Sequence, residues 1–323
     1  MPVQVVDPHS GEALVQAGPD ALRSSQRSFR VVRGVPRLCE EENYTHNFGI
    51  QWNAFPETQI DAGLGDIKPS ERRLFAETAW DPKALDGLDI LEVGSGAGRF
   101  SRVLLERTQA NLYSVDYSTS VDANMATNGE IAPSRFHLFQ ASIYELPFQK
   151  ASFDKVLCLG VLQHTPDFAA SVRSLVAMAK PGGEIVVDFY CIRGFWTKLH
   201  AKYLLRPITK RMSHERLLRL IDRNADWLIG LSKGLRKARL NVLNRFLPIC
   251  DIQGTLPPNL SAQQLREWVV LDTFDMLSPE FDNPQRISTV ERMFSDAGAK
   301  VTFAGHVDVP PVGRAAVVRA VRI

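Results

Sequence analysis

From residue 88 onward the apolar positions of this chain change period in a regular way. Ile90, Leu91 and Val93 form a short run of the kind a buried strand presents. After a glycine-rich stretch, Phe100, Val103 and Leu104 recur at helical spacing. The same exchange repeats down the chain. It predicts strands over 89–93, 112–116, 135–140, 153–160 and 184–190, with helices between them, Ser118 capping the helix after the second strand. Lys180-Pro-Gly-Gly183 reads as a turn before the fifth strand. Further on, a helix over 288–297 stopped by Gly298 precedes two strands over 299–304 and 315–322. Strand and helix in alternation imply an α/β fold, a parallel sheet with helices on both faces.

The first strand runs into Gly94-Ser-Gly-Ala-Gly98, and the second ends at Asp116-Tyr117. Glycines let a backbone approach a ligand closely. An acid at the tip of the second strand is placed to accept hydrogen bonds from both hydroxyls of a ribose. A dinucleotide fingerprint needs a third glycine where this chain has Arg99. Glu92, two residues before the first glycine, is expected to repel a pyrophosphate and to tolerate a cationic ligand.

Glu92-Val-Gly-Ser-Gly-Ala-Gly98 resembles the first motif of the class I S-adenosylmethionine-dependent methyltransferases, E/D-x-G-x-G-x-G. Motif and element order together carry the resemblance over 85–190 and 284–322. It implies a Rossmann-like sheet of seven strands closed by an antiparallel pair, with S-adenosylmethionine as cofactor. The cofactor residues it implies are Glu92, Gly94, Ser95, Gly96, Gly98, Asp116, Tyr117, Ser142, Ile143 and Leu159. Ser142 stands where the family commonly has an acid for the adenine amino group. A hydroxyl accepts more weakly than a carboxylate, so the backbone at Ser142 and Ile143 is the alternative adenine contact. Gly160-Val-Leu-Gln-His164 resembles the family's G-V-L-x-H segment and puts His164 near the transferable methyl, either shaping the loop or acting as a general base. Asp188 and Tyr190, at the end of the fifth strand, are the other catalytic candidates, with His46 an outsider. No cluster with metal-ligand spacing occurs, and no metal is expected.

The 323 residues exceed what one α/β domain needs, and 45% of them are hydrophobic. The expected division is a small β-rich module over 1–55, a methyltransferase core over 56–190 and 284–323, and a helical cap over 191–283. The leader is similar to one that carries a small zinc ribbon in many such methyltransferases. Asp7 and Gly11 stand where paired cysteines would sit, so a metal-free remnant is expected, with His9 alone. The four cysteines are scattered, the start lacks a signal peptide's pattern, and no apolar run is long enough to cross a membrane. A cytoplasmic protein with reduced thiols is the expectation. Over 44–80 aromatics are dense among Asn, Gln and His, as in a helix covering the sheet edge or a lid over the site, with Gln51, Trp52 and Arg72 as lid residues.

Charge singles out the cap. The whole chain carries +2, yet between Arg193 and Arg245 there are 14 basic residues (Lys198, Lys202, Arg206 and Arg223 among them) against 3 acidic ones. Apolar residues interleave at helical spacing, giving two or three basic amphipathic helices. A helix is expected to run from about 261 through Trp268, with 272–279 leading back to the core. The charge has three readings: a solvated face, recognition of an anionic or glycosylated small-molecule acceptor, or peripheral contact with an anionic membrane. Nucleic acid ranks behind these, for want of interleaved stacking aromatics. The function expected is methyl transfer to oxygen or nitrogen of a small-molecule, glycan or metabolite acceptor. A non-catalytic partner subunit of the same fold and, further off, an NAD-dependent oxidoreductase are the alternatives. Oligomeric state is open.

Overall fold

A computed structural model describes the chain apart from residues 1–2, 41–42, 62–63, 65–66, 193, 195–198, 254 and 310–312. Arg193 and Lys198 of the basic set therefore lie outside the described residues.

A four-stranded antiparallel sheet comes first: β1 (Val15–Gln16), β2 (Ala21–Arg23), β3 (Ser28–Val32) and β4 (Val35–Pro36). Helices α1 (His46–Ala54) and α2 (Pro69–Thr78) follow. The main body alternates β5 (Asp89–Val93), α3 (Arg99–Arg107), β6 (Asn111–Asp116), α4 (Val121–Asn128), β7 (Phe136–Gln140), β8 (Phe153–Cys158), α5 (Phe168–Met178) and β9 (Ala179–Phe189). Four helices come next, α6 (Ala201–Thr209), α7 (His214–Lys237), α8 (Asn241–Asn244) and α9 (Ala262–Leu277). Then α10 (Ile287–Asp296), β10 (Ala299–Val309) and β11 (Gly313–Arg322) close the fold.

The seven-stranded sheet has the order β7-β6-β5-β8-β9-β11-β10, with β5 to β9 parallel and β11 antiparallel to both its neighbours. The order reverses between β5 and β8, which opens a crevice at their C-terminal tips. β5 and β6 are buried on both faces, which is why they read as near-continuous apolar runs. Side-chain parity sorts the core. Leu91 and Val93 join the layer under α5 and α10, whereas Ile90, Leu112 and Val186 join the layer under α2 and α3. Glu92 and Asp188 share the parity of Ile90 and Val186, so both face the α2–α3 layer.

The small sheet covers the β7 edge, which would otherwise be open for pairing. Arg37 bridges to Gln140, the Leu38 amide donates to the Gln140 carbonyl at 2.8 Å, and Leu38 enters the main core. The cap has apolar centres of its own, Leu217, Ile221 and Phe274 in one and Leu228, Trp268 and Val269 in the other.

Three local expectations are corrected. Ser120, not Ser118, is the N-cap residue of α4, because Ser118 spends its hydroxyl on Asp116 and Ser120. Lys180-Pro-Gly-Gly183 belongs to β9 as an irregularity, pairing resuming at Glu184 opposite Lys155. The segment from Asp272 does not lead back to the core as a loop. It continues α9, whose start is fixed by a capping box between Ser261 and Gln264.

Candidate active site

A cavity of about 580 Å³ lies at the crevice. Its floor is made by the tips of β5, β6, β8 and β9, and α1, α2 and α9 contribute its walls and roof. The Gly94–Gly98 turn is pinned from below: the Gly94 amide donates to Val115 at 2.7 Å, and the Gly96 amide to Asp116 Oδ2 at 2.8 Å. From α4, Asn128 donates to the Gly98 carbonyl at 3.0 Å and Asn124 to Ser95 Oγ at 3.1 Å. Gly98 has φ +86°, and a Cβ there would sit 2.1 Å from Asn124 Oδ1. At Gly94 a Cβ would come within 2.2 Å of Val161. The turn therefore tolerates no side chain at these two positions.

Of the cofactor residues expected, Gly94, Ser95, Gly96, Asp116, Tyr117, Ile143 and Leu159 line the cavity. Glu92 and Ser142 are not among its lining residues. Parity turns Glu92 into the α3 layer, where its carboxylate accepts from Ser101 Oγ at 2.5 Å and Ser114 Oγ at 2.7 Å. Burial pushes its carboxyl up to about 7, against the pull of the two serines. Glu92 thus braces the start of α3 through Ser101. The Ser142 hydroxyl accepts from the Tyr144 amide at 3.2 Å, a local turn bond, while Ala141 and Ile143 beside it face the cavity. Gly98 acts through the turn and is likewise outside the lining.

The three catalytic candidates meet in one region but differ in freedom. His164 is buried, its ring 5.2 Å from that of Phe48 and 5.6 Å from that of Tyr190. Its Nδ1 lies 3.1 Å from the Phe281 carbonyl, which can only accept, so Nδ1 carries the proton and Nε2 keeps a lone pair. Burial holds its pKa below the usual histidine value, with Asp275 opposing. Asp188 is committed: Arg73 and the Gly160 amide both donate to it, and Arg73 also binds Glu77 at 2.8 Å. Tyr190 donates to Asp275 Oδ2 at 3.2 Å; burial and the carboxylates around it hold its phenol well above the ordinary value.

Sequence reasoning missed part of the site. Arg73 lines it, whereas Arg72 is exposed; one residue of helical phase separates them. His46 is exposed, beside His214. Asp272 and Asp275 of α9 line the cavity, and burial pushes Asp272 up to about 7. Gln51 and Gln163, both lining and fully buried, leave oxygen and nitrogen of each amide without a partner. An i, i+3 acid pair over 272–275 was the available signal for the first two. Gln51 is one of the lid residues expected, as is Trp52, which also lines the cavity; nothing local marks Gln163. Of the basic cap set, Lys202 alone among the described residues lines the cavity, and it is bound to Asp282 at 2.9 Å. The other cations in the lining, Arg73, Arg99 and Arg314, come from outside the cap.

Residues 91–187 match the family described as a methyltransferase domain. Over this stretch, about three tenths of its length, the chain is similar to a methyltransferase domain. The tRNA U34 carboxymethyltransferase of Nautilia profundicola is 29% identical over 110 residues, 34% of this chain and 37% of that protein. The chloroplastic tocopherol O-methyltransferase of Arabidopsis thaliana is 35% identical over 107 residues, 32% of this chain and 30% of that one. The chain thus spans about a third of these relatives' length. The magnesium protoporphyrin IX methyltransferase of Synechocystis PCC 6803 is similar in structure, with TM-score 0.45 and 15% identity over 87% of this chain and 97% of that one. The methyltransferase domain places S-adenosylmethionine as the cofactor. The glycine turn without room for Cβ atoms, and Asp116 at the second strand tip, fit it.

Proposed function

We propose that the chain transfers a methyl group from S-adenosylmethionine to an oxygen of a small, neutral, hydroxyl-bearing acceptor, a sugar among them. One observation carries the choice of oxygen: His164 lines the cavity with Nδ1 committed to the Phe281 carbonyl, which leaves Nε2 as the basic nitrogen, and burial favours the neutral ring. A hydroxyl acceptor needs a base because its proton must leave during attack, and a neutral amine does not.

Bound in the glycine turn, the cofactor supplies a methyl already activated by a sulfonium. Gly96 and Asp116 seat its nucleoside end. His164 takes the acceptor proton on Nε2 while Phe281 steadies the imidazolium through Nδ1. Asp188, held by Arg73 and Gly160, positions the β8–β9 tips and is not the base. Tyr190 keeps its proton and orients the acceptor. The cavity, roofed by α1 and α9, holds the reacting atoms together away from water. Asp272, Asp275, Gln51 and Gln163 suit an acceptor rich in hydroxyl groups, since they offer acceptors and two unmet amides. Arg73 and Lys202 already hold carboxylates, which leaves Arg99, bound to the neutral Gln59 amide, as the lining cation nearest to hand for any anionic group the acceptor carries.

The test is transfer of labelled methyl from S-adenosylmethionine into a small-molecule extract, with products identified by mass. The reading expects an O-methylated neutral polar product whose formation needs His164. N-methylated products, or only anionic ones, would overturn it. Cofactor binding with no acceptor methylated in any extract would favour the partner-subunit alternative.

A further inference from the structure

The cap places its charge on the outside, together with apolar side chains. On α7, Leu217, Ile221, Ala225 and Leu228 turn inward onto α9. Leu220, Trp227 and Leu231 point outward, exposed by 50%, 57% and 41%. Their offsets of i, i+7 and i+11 set them in one narrow stripe along the helix. Arg216 and Arg223, one turn before and after Leu220, border it on the side away from the core, with Arg219 beyond. Two of the three acids of the helix are spent elsewhere: Arg266 of α9 binds Asp222 at 2.9 Å and Asp226 at 3.4 Å, and the third, Glu215, sits in the first turn. Among the described residues, no ion pair engages Arg216, Arg219 or Arg223. At the far end of the helix the apolar surface continues through Val242, which is 74% exposed, and Phe246.

We infer that this face of α7 docks the protein on an anionic lipid surface, lying in the interface without crossing it. An exposed tryptophan and leucines beside a row of arginines is the pattern of an interfacial helix: the apolar stripe enters the acyl boundary while the guanidinium groups meet headgroup phosphates. No described helix is long and apolar enough to span a bilayer. Charge complementarity selects the occupant. A second copy seated on the same face would bring both rows of arginines together, whereas an anionic headgroup layer neutralises them. The inference is independent of the acceptor, because none of these residues lines the cavity.

The experiment is co-sedimentation of the full chain with phosphatidylcholine vesicles, with and without phosphatidylglycerol, at low and high salt. The protein is expected to bind the anionic vesicles at low salt and to leave them at high salt. The exposed-charge variant R216Q/R219Q/R223Q, which removes nothing from the core, is expected to lose partitioning by about tenfold or more. L220S/W227S/L231S is expected to lose it as well, while both variants keep cofactor affinity. Equal binding to neutral and anionic vesicles, or unchanged binding by the charge variant, overturns the inference. So does a dimer that Trp227→Asp dissociates, or retention of RNA by the arginines in a chain that ignores vesicles.

Discussion

At Glu92 and His164, burial does opposite work. Glu92 is an acid shifted upward, from 4.5 to about 7, so the folded state prefers its protonated form. That contribution to stability is full below pH 4.5 and is lost as pH rises through about 7. Glu92→Gln keeps an acceptor for the serines without the charge. Its melting temperature is expected to fall less than that of the wild type across this window, a difference on the order of 3 kcal/mol at most. Thermal melts at stepped pH measure it. His164 is a base shifted downward, so it charges only below its ordinary 6.5 and activity should fall on the acid side of that value. His164→Gln is expected to lower kcat about a hundredfold or more and to erase the acid limb of the pH–rate profile. Both residues stood out in the sequence, but what each does depended on direction. The alternation of β5 turns Glu92 away from the cavity, and a motif read as letters does not carry that parity.

Elements were more legible than residues. Strands buried on both faces announce themselves as apolar runs, and the glycine turn announces itself by spacing. What escaped was where helices continue and which way they face. Asp272-Thr-Phe-Asp looks like a polar connection, yet Thr273 and Phe274 are buried and the two acids between turns face the cavity. Gln163, after β8, lines the same cavity as Gln51 of α1, more than 100 positions away in sequence, and only the fold shows that. The junction of β5 and α3 leaves no room for a side chain at Gly98. Gly98→Ala would force a Cβ into the paired amides of Asn124 and Asn128 at a left-handed φ, and is expected to destabilise the fold by about 2 kcal/mol or more. Denaturant titration, with cofactor affinity measured on the folded fraction, is the check. A neutral outcome would mean that the turn is not pinned by α4.

For the whole molecule, the sheet order settles what the glycine motif alone left open. A dinucleotide-binding fold continues its parallel strands in sequence, whereas here the antiparallel β11 is inserted between β9 and β10. The cofactor crevice belongs to this sheet, and the basic surplus belongs to the outer side of the cap. The two functions should therefore separate: surface changes on α7 leave cofactor affinity as it is, and Asp116→Ala weakens it. Calorimetric titration of S-adenosylmethionine into the wild-type chain and into Asp116→Ala decides whether the crevice holds that cofactor. The account predicts saturable binding at one site per chain, weakened about tenfold to a hundredfold in the variant, with no binding of NAD. A wild-type chain that takes up no S-adenosylmethionine, or a variant that binds it equally well, would contradict it.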